Sequence, residues 1–281
     1  MNPNPLSQYF RQPAIFIKLP SEGNYYPPGA LEPTVNNEYP VLPMTTLDEI
    51  TYRTPDALFN GSAMVSVIES CMPNIKDAWG MPGMDIDTVL VAIRIATYGH
   101  ELDITSECPS CSEVNEYGID LRIVLDGIAP PNYKTCLKHG DLDIFLRPMS
   151  YQQMNENSMV QFEEQKQLAV LQDSLATVAA DDAKLTQLGE VLKKITQITT
   201  RALAQNIALV KAPQAHVTDS EHISEWLSNC DRTTYNTIRD HIIDNKQKGE
   251  LTPLDIKCGH CEHEYKQPFT LDMSNFFVAA S

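Results

Sequence analysis

The sequence predicts an α+β protein, mostly helical, in which a split zinc ribbon ties the middle of the chain to its C-terminal part. Two observations predict this fold class. Cys108-Pro-Ser-Cys111 and Cys258-Gly-His-Cys261 each lie between two segments that alternate polar and apolar residues, as strands do. The chain before and between them carries apolar residues at helical spacing, which indicates a small N-terminal helical unit and a long inserted helical hairpin.

The two cysteine pairs are typical of a metal site. A Cys-x-x-Cys turn lets both sulfurs reach one ion at about 2.3 Å, and two such knuckles would surround it tetrahedrally. The predicted ligands are Cys108, Cys111, Cys258 and Cys261. Because protein atoms would fill all four positions, we expect a structural Zn²⁺ and no catalytic one.

Other interpretations of these cysteines remain open at this point. His263 could replace one cysteine as a ligand. Cys-Gly-His-Cys also occurs in disulfide isomerases, but a redox site needs a helix after it, and Pro268 favours a strand there. The remaining cysteines have no partner spacing, so we expect them to fill buried positions as small apolar groups. They are Cys71, Cys136 and Cys230.

The chain divides into five predicted segments. They are an extended N-terminal arm (1–44), a small helical unit (45–100), the first zinc knuckle with β-strands (101–149), a helical insertion with the long hairpin (150–250), and the second zinc knuckle with a C-terminal strand (251–281). The arm is rich in proline, which cannot donate to a strand ladder, so its extended pieces are edge strands at most. It either docks on another subunit or lies over its own domain as a strap.

Periodicity and capping residues predict the elements that follow the arm. Thr45 is a plausible helix cap, residues 62–71 form an apolar helical face, and 85–99 has Asp near its start and Gly at its end. Alternation predicts strands over 117–125 and 142–148 that could pair with each other.

Leucine spacing predicts two antiparallel helices over about 151–179 and 182–206, with a bend at 179–182. The two stripes contain Leu168, Leu171, Leu175 and Val178, and Leu185, Leu188, Leu192 and Ile195. This hairpin either packs on itself or offers a surface to a helix of another protein. Residues 207–217 are expected to be extended, and two shorter helices follow, starting near Asp219 and Asp231.

The charge of the chain argues against several function classes. Acidic residues outnumber basic ones 37 to 21, giving a net charge of −16, and glutamates surround both knuckles. Binding of nucleic acid needs a cationic footprint, so we expect none. No apolar run approaches the roughly 18 residues of a membrane span, and no signal peptide is visible. Seven cysteines with two metal-type pairs suit a reducing cytosol.

Motifs that mark the common enzyme classes are missing from the sequence. We find no Walker loop, dinucleotide-binding glycine turn, nucleophile elbow or His-Glu-x-x-His helix. The histidines are scattered, and the paired carboxylates suit helix starts better than acid–base catalysis. We therefore expect no enzyme.

Four segments resemble the T4-type bacteriophage baseplate protein family. They are Ile-Lys-Leu-Pro-Ser-Glu-Gly-Asn-Tyr-Tyr (17–26), Glu-Tyr-Pro-Val-Leu-Pro-Met-Thr-Thr-Leu-Asp-Glu-Ile (38–50), Thr-Pro-Asp-Ala-Leu-Phe-Asn-Gly (54–61) and the knuckle Ile-Thr-Ser-Glu-Cys-Pro-Ser-Cys (104–111). The resemblance implies a baseplate hub assembly protein without catalysis, made in the host cytoplasm and either retained in the virion or released after assembly. Its implied partners are phage baseplate hub or tail proteins. The alternative is a zinc-ribbon adaptor or regulator of transcription or nucleic-acid machinery.

Overall fold

The computed structural model describes residues 4–54, 61–177, 182–269 and 271. The chain forms two compact units. Unit 1 comprises Met1–Pro130 and Lys248–Ser281, and unit 2 comprises Pro131–Gln247. Both helices and strands occur in each unit, and more of the described residues lie in helices than in strands, so the α+β prediction is confirmed. The five predicted segments stay predictions as folding units.

The N-terminal segment of unit 1 lies over its own unit. Strand β1 (Ile15–Ile17) pairs antiparallel with β2 (Tyr39–Val41). Ile17, Tyr39 and Val41 are buried, so the pair contributes to the core. Residues 11–41 pack on their own unit, and this segment is called the strap below. Docking of the N-terminal arm on another subunit stays a prediction.

Arg11 fastens this strap at one end. Its guanidinium donates hydrogen bonds to the carbonyl oxygen of Pro43 at 2.6 Å and to the carbonyl and hydroxyl oxygens of Ser70, both at 2.7 Å. It also contacts Asp48 Oδ2 at 3.1 Å. Asp48 in turn forms a capping box with Thr45 at the start of helix α1 (Thr46–Tyr52), which confirms Thr45 as the cap. One cation therefore links the strap to two helices.

Asp85 fastens the strap at a second point. Its carboxylate accepts hydrogen bonds from the backbone N–H of Ser21 at 2.8 Å, from the Ser21 hydroxyl at 2.6 Å and from the Tyr26 hydroxyl at 2.9 Å. Asp85 is fully buried. Burial disfavours the charged form and raises the pKa of Asp85 to about 6, although the three hydrogen bonds oppose this shift.

The helices of the N-terminal part match their predicted ranges closely. Helix α2 is Ser62–Cys71, and helix α3 is Gly83–Tyr98. Residues on all sides of α3 are buried from Asp85 to Arg94, as expected for a helix that passes through a core. The helix ends at Gly99, whose φ of 90° favours glycine.

Two hairpins follow in unit 1. Strands β3 (Glu101–Glu107) and β4 (Val114–Asp120) pair antiparallel, and so do β9 (Leu254–Lys257) and β10 (Glu264–Gln267). The predicted strands on both sides of each knuckle are thus confirmed. The chain leaves unit 1 near Gly127 and returns near Thr252, and a Cβ built on Gly127 would lie 3.7 Å from the Thr252 hydroxyl oxygen.

The predicted strand over 117–125 is wrong in its second half. Residues Leu121–Asp126 form helix α4, because Asp120 accepts a hydrogen bond from the backbone N–H of Arg122 and caps it. Leu121 and Val124 are buried at helical spacing. The expected pairing with 142–148 does not occur either, since β6 (Leu142–Leu146) belongs to the sheet of unit 2.

Unit 2 combines an antiparallel four-stranded sheet with helices. The strand order is β5-β6-β7-β8, where β5 is Leu137–His139, β7 is Ile207–Ala212 and β8 is Ala215–Val217. Helices α7 (Ser220–Asn229) and α8 (Arg232–Lys248) follow, so the extended segment and both short helices are confirmed. The apolar core consists of Ile144, Leu146, Leu203, Ala204, Ile207, Val210, Ile223, Leu227, Ile238 and Ile242.

The long hairpin is formed by α5 (Tyr151–Thr177) and α6 (Asp182–Gln205). Asn157 donates to Gln205 Oε1 at 2.7 Å, and Lys194 lies 3.8 Å from Glu164, so the two helices run antiparallel as predicted. The predicted bend at 179–182 lies mostly outside the described residues. No helix of the described chain is long and apolar enough to cross a membrane.

One stripe of the hairpin differs from its prediction. Leu192 is 48% exposed, whereas its neighbour Val191 is buried. Steps of three and four residues connect Leu188 to Ile195 through either position, so spacing alone did not distinguish them.

The pKa of Asp85 leads to a testable pH dependence. Its folded pKa of about 6 exceeds the usual value of about 3.9, so its contribution to stability is complete below pH 4 and is lost as the pH rises through 6. We expect Asp85→Asn to remove a decline of about 2 to 3 kcal/mol in the unfolding free energy of unit 1 across this window. Urea unfolding followed by Trp79 fluorescence, in a Trp226→Phe background, measures it.

Asp48 provides the matched control. Burial raises its pKa, but hydrogen bonds from Thr45 and Ser70 and the charge of Arg11 outweigh burial and lower it overall. Its contribution is therefore present above the unfolded pKa and lost as the pH falls, so Asp48→Asn should change the slope in the opposite sense. An Asp85→Asn variant with the wild-type slope would contradict the prediction.

Candidate metal centre

The two knuckles have the same backbone hydrogen bonds. In the first, Cys108 N donates to Glu113 O at 2.9 Å and Ser112 N donates to Cys108 O at 2.9 Å. In the second, Cys258 N donates to His263 O at 2.9 Å and Glu262 N donates to Cys258 O at 3.1 Å. The two turns therefore repeat one local structure 150 positions apart.

Each knuckle also has a left-handed residue just after its second cysteine. Ser112 has a φ of 57° and Glu262 a φ of 58°. Non-glycine residues pay a steric penalty in this region, of about 1 to 3 kcal/mol. The two turns therefore share this left-handed conformation at equivalent positions.

The four sulfurs converge as the spacing predicts. The Sγ atoms of Cys108, Cys111, Cys258 and Cys261 all lie within 4.8 Å of one another. Cys108 Sγ lies 3.6 Å from Cys261 Sγ, and Cys111 Sγ lies 3.7 Å from Cys258 Sγ. Four sulfurs placed tetrahedrally at about 2.3 Å from one ion would be about 3.8 Å apart. The residues present thus fit a four-sulfur metal site.

Burial is unequal within the cluster. Cys108 and Cys258 are buried, while Cys111 and Cys261 are exposed. Each knuckle therefore contributes one inner and one outer sulfur.

The four thiols interact electrostatically with one another and with nearby backbone N–H groups. Backbone N–H donation from Cys261 and His260 lowers the pKa of Cys258 to about 6. At Cys111 the backbone N–H of Glu113 lowers the pKa. Desolvation and the neighbouring thiols outweigh this effect and raise the pKa of Cys111 to about 12. Four thiols at this distance cannot all ionise alone, because thiolates repel each other. A divalent cation would remove this conflict.

Hydrogen bonds between side chains join the two hairpins. Ser106 is buried, and its hydroxyl donates to Gln267 Oε1 at 2.7 Å. The Tyr265 hydroxyl lies 2.9 Å from the Ser106 hydroxyl oxygen. Tyr117 donates to the carbonyl oxygen of Lys257 at 3.2 Å, and Asn115 Nδ2 lies 3.6 Å from Cys258 Sγ. Sequence analysis missed these residues; the one available signal was that Ser106 and Tyr265 occupy inward positions of alternating strands.

The other histidine and cysteine predictions can be compared with the structure. His263 stacks on Tyr265, and among the described residues the metal-type cluster contains only the four cysteines. Cys261 is followed by a turn and β10, which confirms the predicted strand where a redox site would need a helix. Cys71 is buried, but Cys136 and Cys230 are only half-buried, so their predicted burial is wrong.

Comparisons with known proteins give one finding. No curated protein and no solved structure matches the chain. The model of the family described as T4 bacteriophage base plate protein matches residues 15–278, which include both hairpins of the cysteine cluster and the whole of unit 2. The chain therefore belongs to the T4 bacteriophage base plate protein family.

Proposed function

We propose that the chain is a non-enzymatic structural and assembly protein of the baseplate hub in a contractile phage tail, stabilised by one structural Zn²⁺. Family membership makes it a structural component of a phage baseplate that associates with other baseplate proteins. The hub is the finer part of the proposal and follows the resemblance of residues 17–26, 38–50, 54–61 and 104–111.

The convergence of four sulfurs carries the zinc part. Cys108, Cys111, Cys258 and Cys261 would hold the ion, and no ligand position would remain for water or substrate. When bound, the ion supplies charge neutralisation and a fixed tetrahedral joint between the hairpins. The protein's own part is to present four sulfurs from two rigid turns.

Assembly would follow from pre-ordered surfaces. When two proteins associate, they lose translational freedom and the conformational freedom of interface side chains. A surface that is already ordered has a smaller entropy cost of binding. The strap is fixed by Arg11 and Asp85, and large apolar side chains stay exposed just before it, at Leu6, Tyr9 and Phe10. The hairpin of unit 2 likewise exposes Val160, Phe162 and Leu192. These surfaces are the proposed contacts with hub or tail partners.

The alternative, a nucleic-acid adaptor, has less support from the charge of the first hairpin. Glu101 is directly opposite Asp120, and Asp103 and Glu116 lie on the same face, while Arg122 pairs with Asp120 at 2.7 Å and leaves the other three as the net negative charge. A phosphate backbone would be repelled by this surface, whereas a basic protein surface would be attracted.

Zinc content tests the metal centre. We expect about one zinc per purified wild-type chain, and its loss in both Cys108→Ser and Cys258→Ser, because each removes a ligand from an otherwise closed site. The thermal midpoint of these variants should fall by roughly 10 °C. Elemental analysis and calorimetry measure both quantities. Cys230→Ser lies outside the cluster and should keep both at the wild-type level; wild type without zinc would refute the metal centre.

Complementation in infected cells tests the hub role. Phage lacking this protein should build no complete tails, because hub assembly would fail. Supplying wild type or Cys230→Ser should restore tails. Supplying Cys108→Ser should yield about tenfold fewer tails than wild type, because loss of the zinc site destabilises the fold. Electron microscopy counts the tails, and a tagged chain should co-purify hub subunits. Complete tails in the absence of the protein would contradict the proposal.

A further inference from the structure

Asn115 reaches across from one hairpin to a sulfur of the other. It is half-buried on β4, seven positions after Cys108. Its Nδ2 donates to the carbonyl oxygen of Glu113 at 3.1 Å and to Cys258 Sγ at 3.6 Å. The first contact stays within its own knuckle, and the second links that knuckle to the opposite one.

Cys258 thus has both a backbone and a side-chain donor. The backbone N–H of His260 lies 3.4 Å from the same sulfur. Four thiolates around a divalent cation leave two negative charges on the site, and N–H groups directed at sulfur stabilise this charge. An amide is well suited, since it donates without adding charge of its own.

The two knuckles have the same backbone hydrogen bonds, but they differ in the side chain that lies seven residues after the first cysteine. Tyr265 occupies the position of the second knuckle that Asn115 occupies in the first, seven residues after Cys258. Its hydroxyl bonds to Ser106 and not to a sulfur. The repeated turn therefore does not explain the sulfur contact, which depends on the side chain of Asn115.

Gly259 leaves the space that this contact needs. A Cβ on Gly259 would lie 3.3 Å from Asn115 Oδ1, tighter than an ordinary contact. The φ of Gly259 is not in the left-handed region, so alanine is compatible with its backbone. Gly259→Ala would thus displace the amide of Asn115 while keeping its chemistry.

We propose that Asn115 is a positioning residue of the metal centre, which orients Cys258 and stabilises its thiolate on the bound ion. The inference rests on the proposed zinc site. Partners that hydrogen-bond to ligands typically change metal affinity about 10- to 100-fold when removed. Asn115 should belong to this class, with Cys258 as the ligand that it holds.

The test compares variants of the full-length chain loaded with Zn²⁺ or Co²⁺. Asn115→Ala and Asn115→Asp remove the N–H donor, and we expect both to release zinc to a chelator about 10- to 100-fold faster. The sulfur-to-cobalt charge-transfer band should move to lower energy, because the sulfur loses a donor and gains electron density. Asn115→Asp should show the larger change, since its carboxylate repels the thiolates.

Tyr117→Phe is the matched control. It removes the hydrogen bond of the Tyr117 hydroxyl to the carbonyl oxygen of Lys257 and its interaction with the Tyr265 hydroxyl, and among the described residues the Tyr117 hydroxyl makes no hydrogen bond to a sulfur. Its cobalt band should stay at the wild-type energy, whatever its effect on hairpin stability. Gly259→Ala should shift the band in the same direction as Asn115→Ala, and the double variant should show less than the sum.

The outcomes separate this inference from the proposed function. If wild type takes up neither zinc nor cobalt, the metal centre is refuted and the role of Asn115 with it. If wild type binds metal but Asn115→Ala matches Tyr117→Phe in both release rate and band energy, the role of Asn115 alone is refuted. Faster release together with a shifted band in the Asn115 variants, and an unshifted band in Tyr117→Phe, supports it.

Discussion

The convergence of four sulfurs is the constraint on which the arrangement of the β3–β4 and β9–β10 hairpins depends. Cys111 and Cys258 are 147 positions apart in the chain, yet their sulfurs lie 3.7 Å apart. The few hydrogen bonds between the hairpins contribute about 1 kcal/mol each, which is small beside the entropy of ordering two short ribbons. Two-stranded hairpins are marginal by themselves. A bound ion would supply the missing stabilisation, because metal binding in such sites is folding free energy.

Sequence analysis succeeded where the determining contacts are local. Cysteine spacing gave the knuckles, and capping and periodicity gave the ranges of α2 and α3 to within about two residues. The strand predicted over Leu121–Asp126 was wrong because a short apolar segment fits either a strand or a helix. The Asp120 cap favours the helix. The prediction that Leu192 lies in the apolar stripe was wrong for a related reason, since Val191 and Leu192 both satisfy the same spacing and Val191 is the buried one.

Long-range partners could not be obtained from one sequence. Arg11 and Ser70 are 59 positions apart, and Ser21 and Asp85 are 64 apart. Nothing in the local pattern of the N-terminal segment indicates these partners, so arm and strap were equally compatible with it. Asn115 was missed for the same cause: an asparagine on an alternating strand has no feature that points to a sulfur on another hairpin. The family match adds the biological setting, but the chemistry of the site follows from the positions of its side chains.

The closeness of Gly127 and Thr252 has a consequence for how the chain is built. Where the polypeptide departs from unit 1 and where it comes back are neighbours, and in unit 2 the backbone N–H of Asn132 bonds to Asn245 Oδ1 at 2.9 Å. Within each unit, the residues at which the chain enters and leaves thus lie close together. Because the two ends of the insertion lie side by side in unit 1, an insertion of another length could leave from and return to the same two positions without moving the cysteine hairpins.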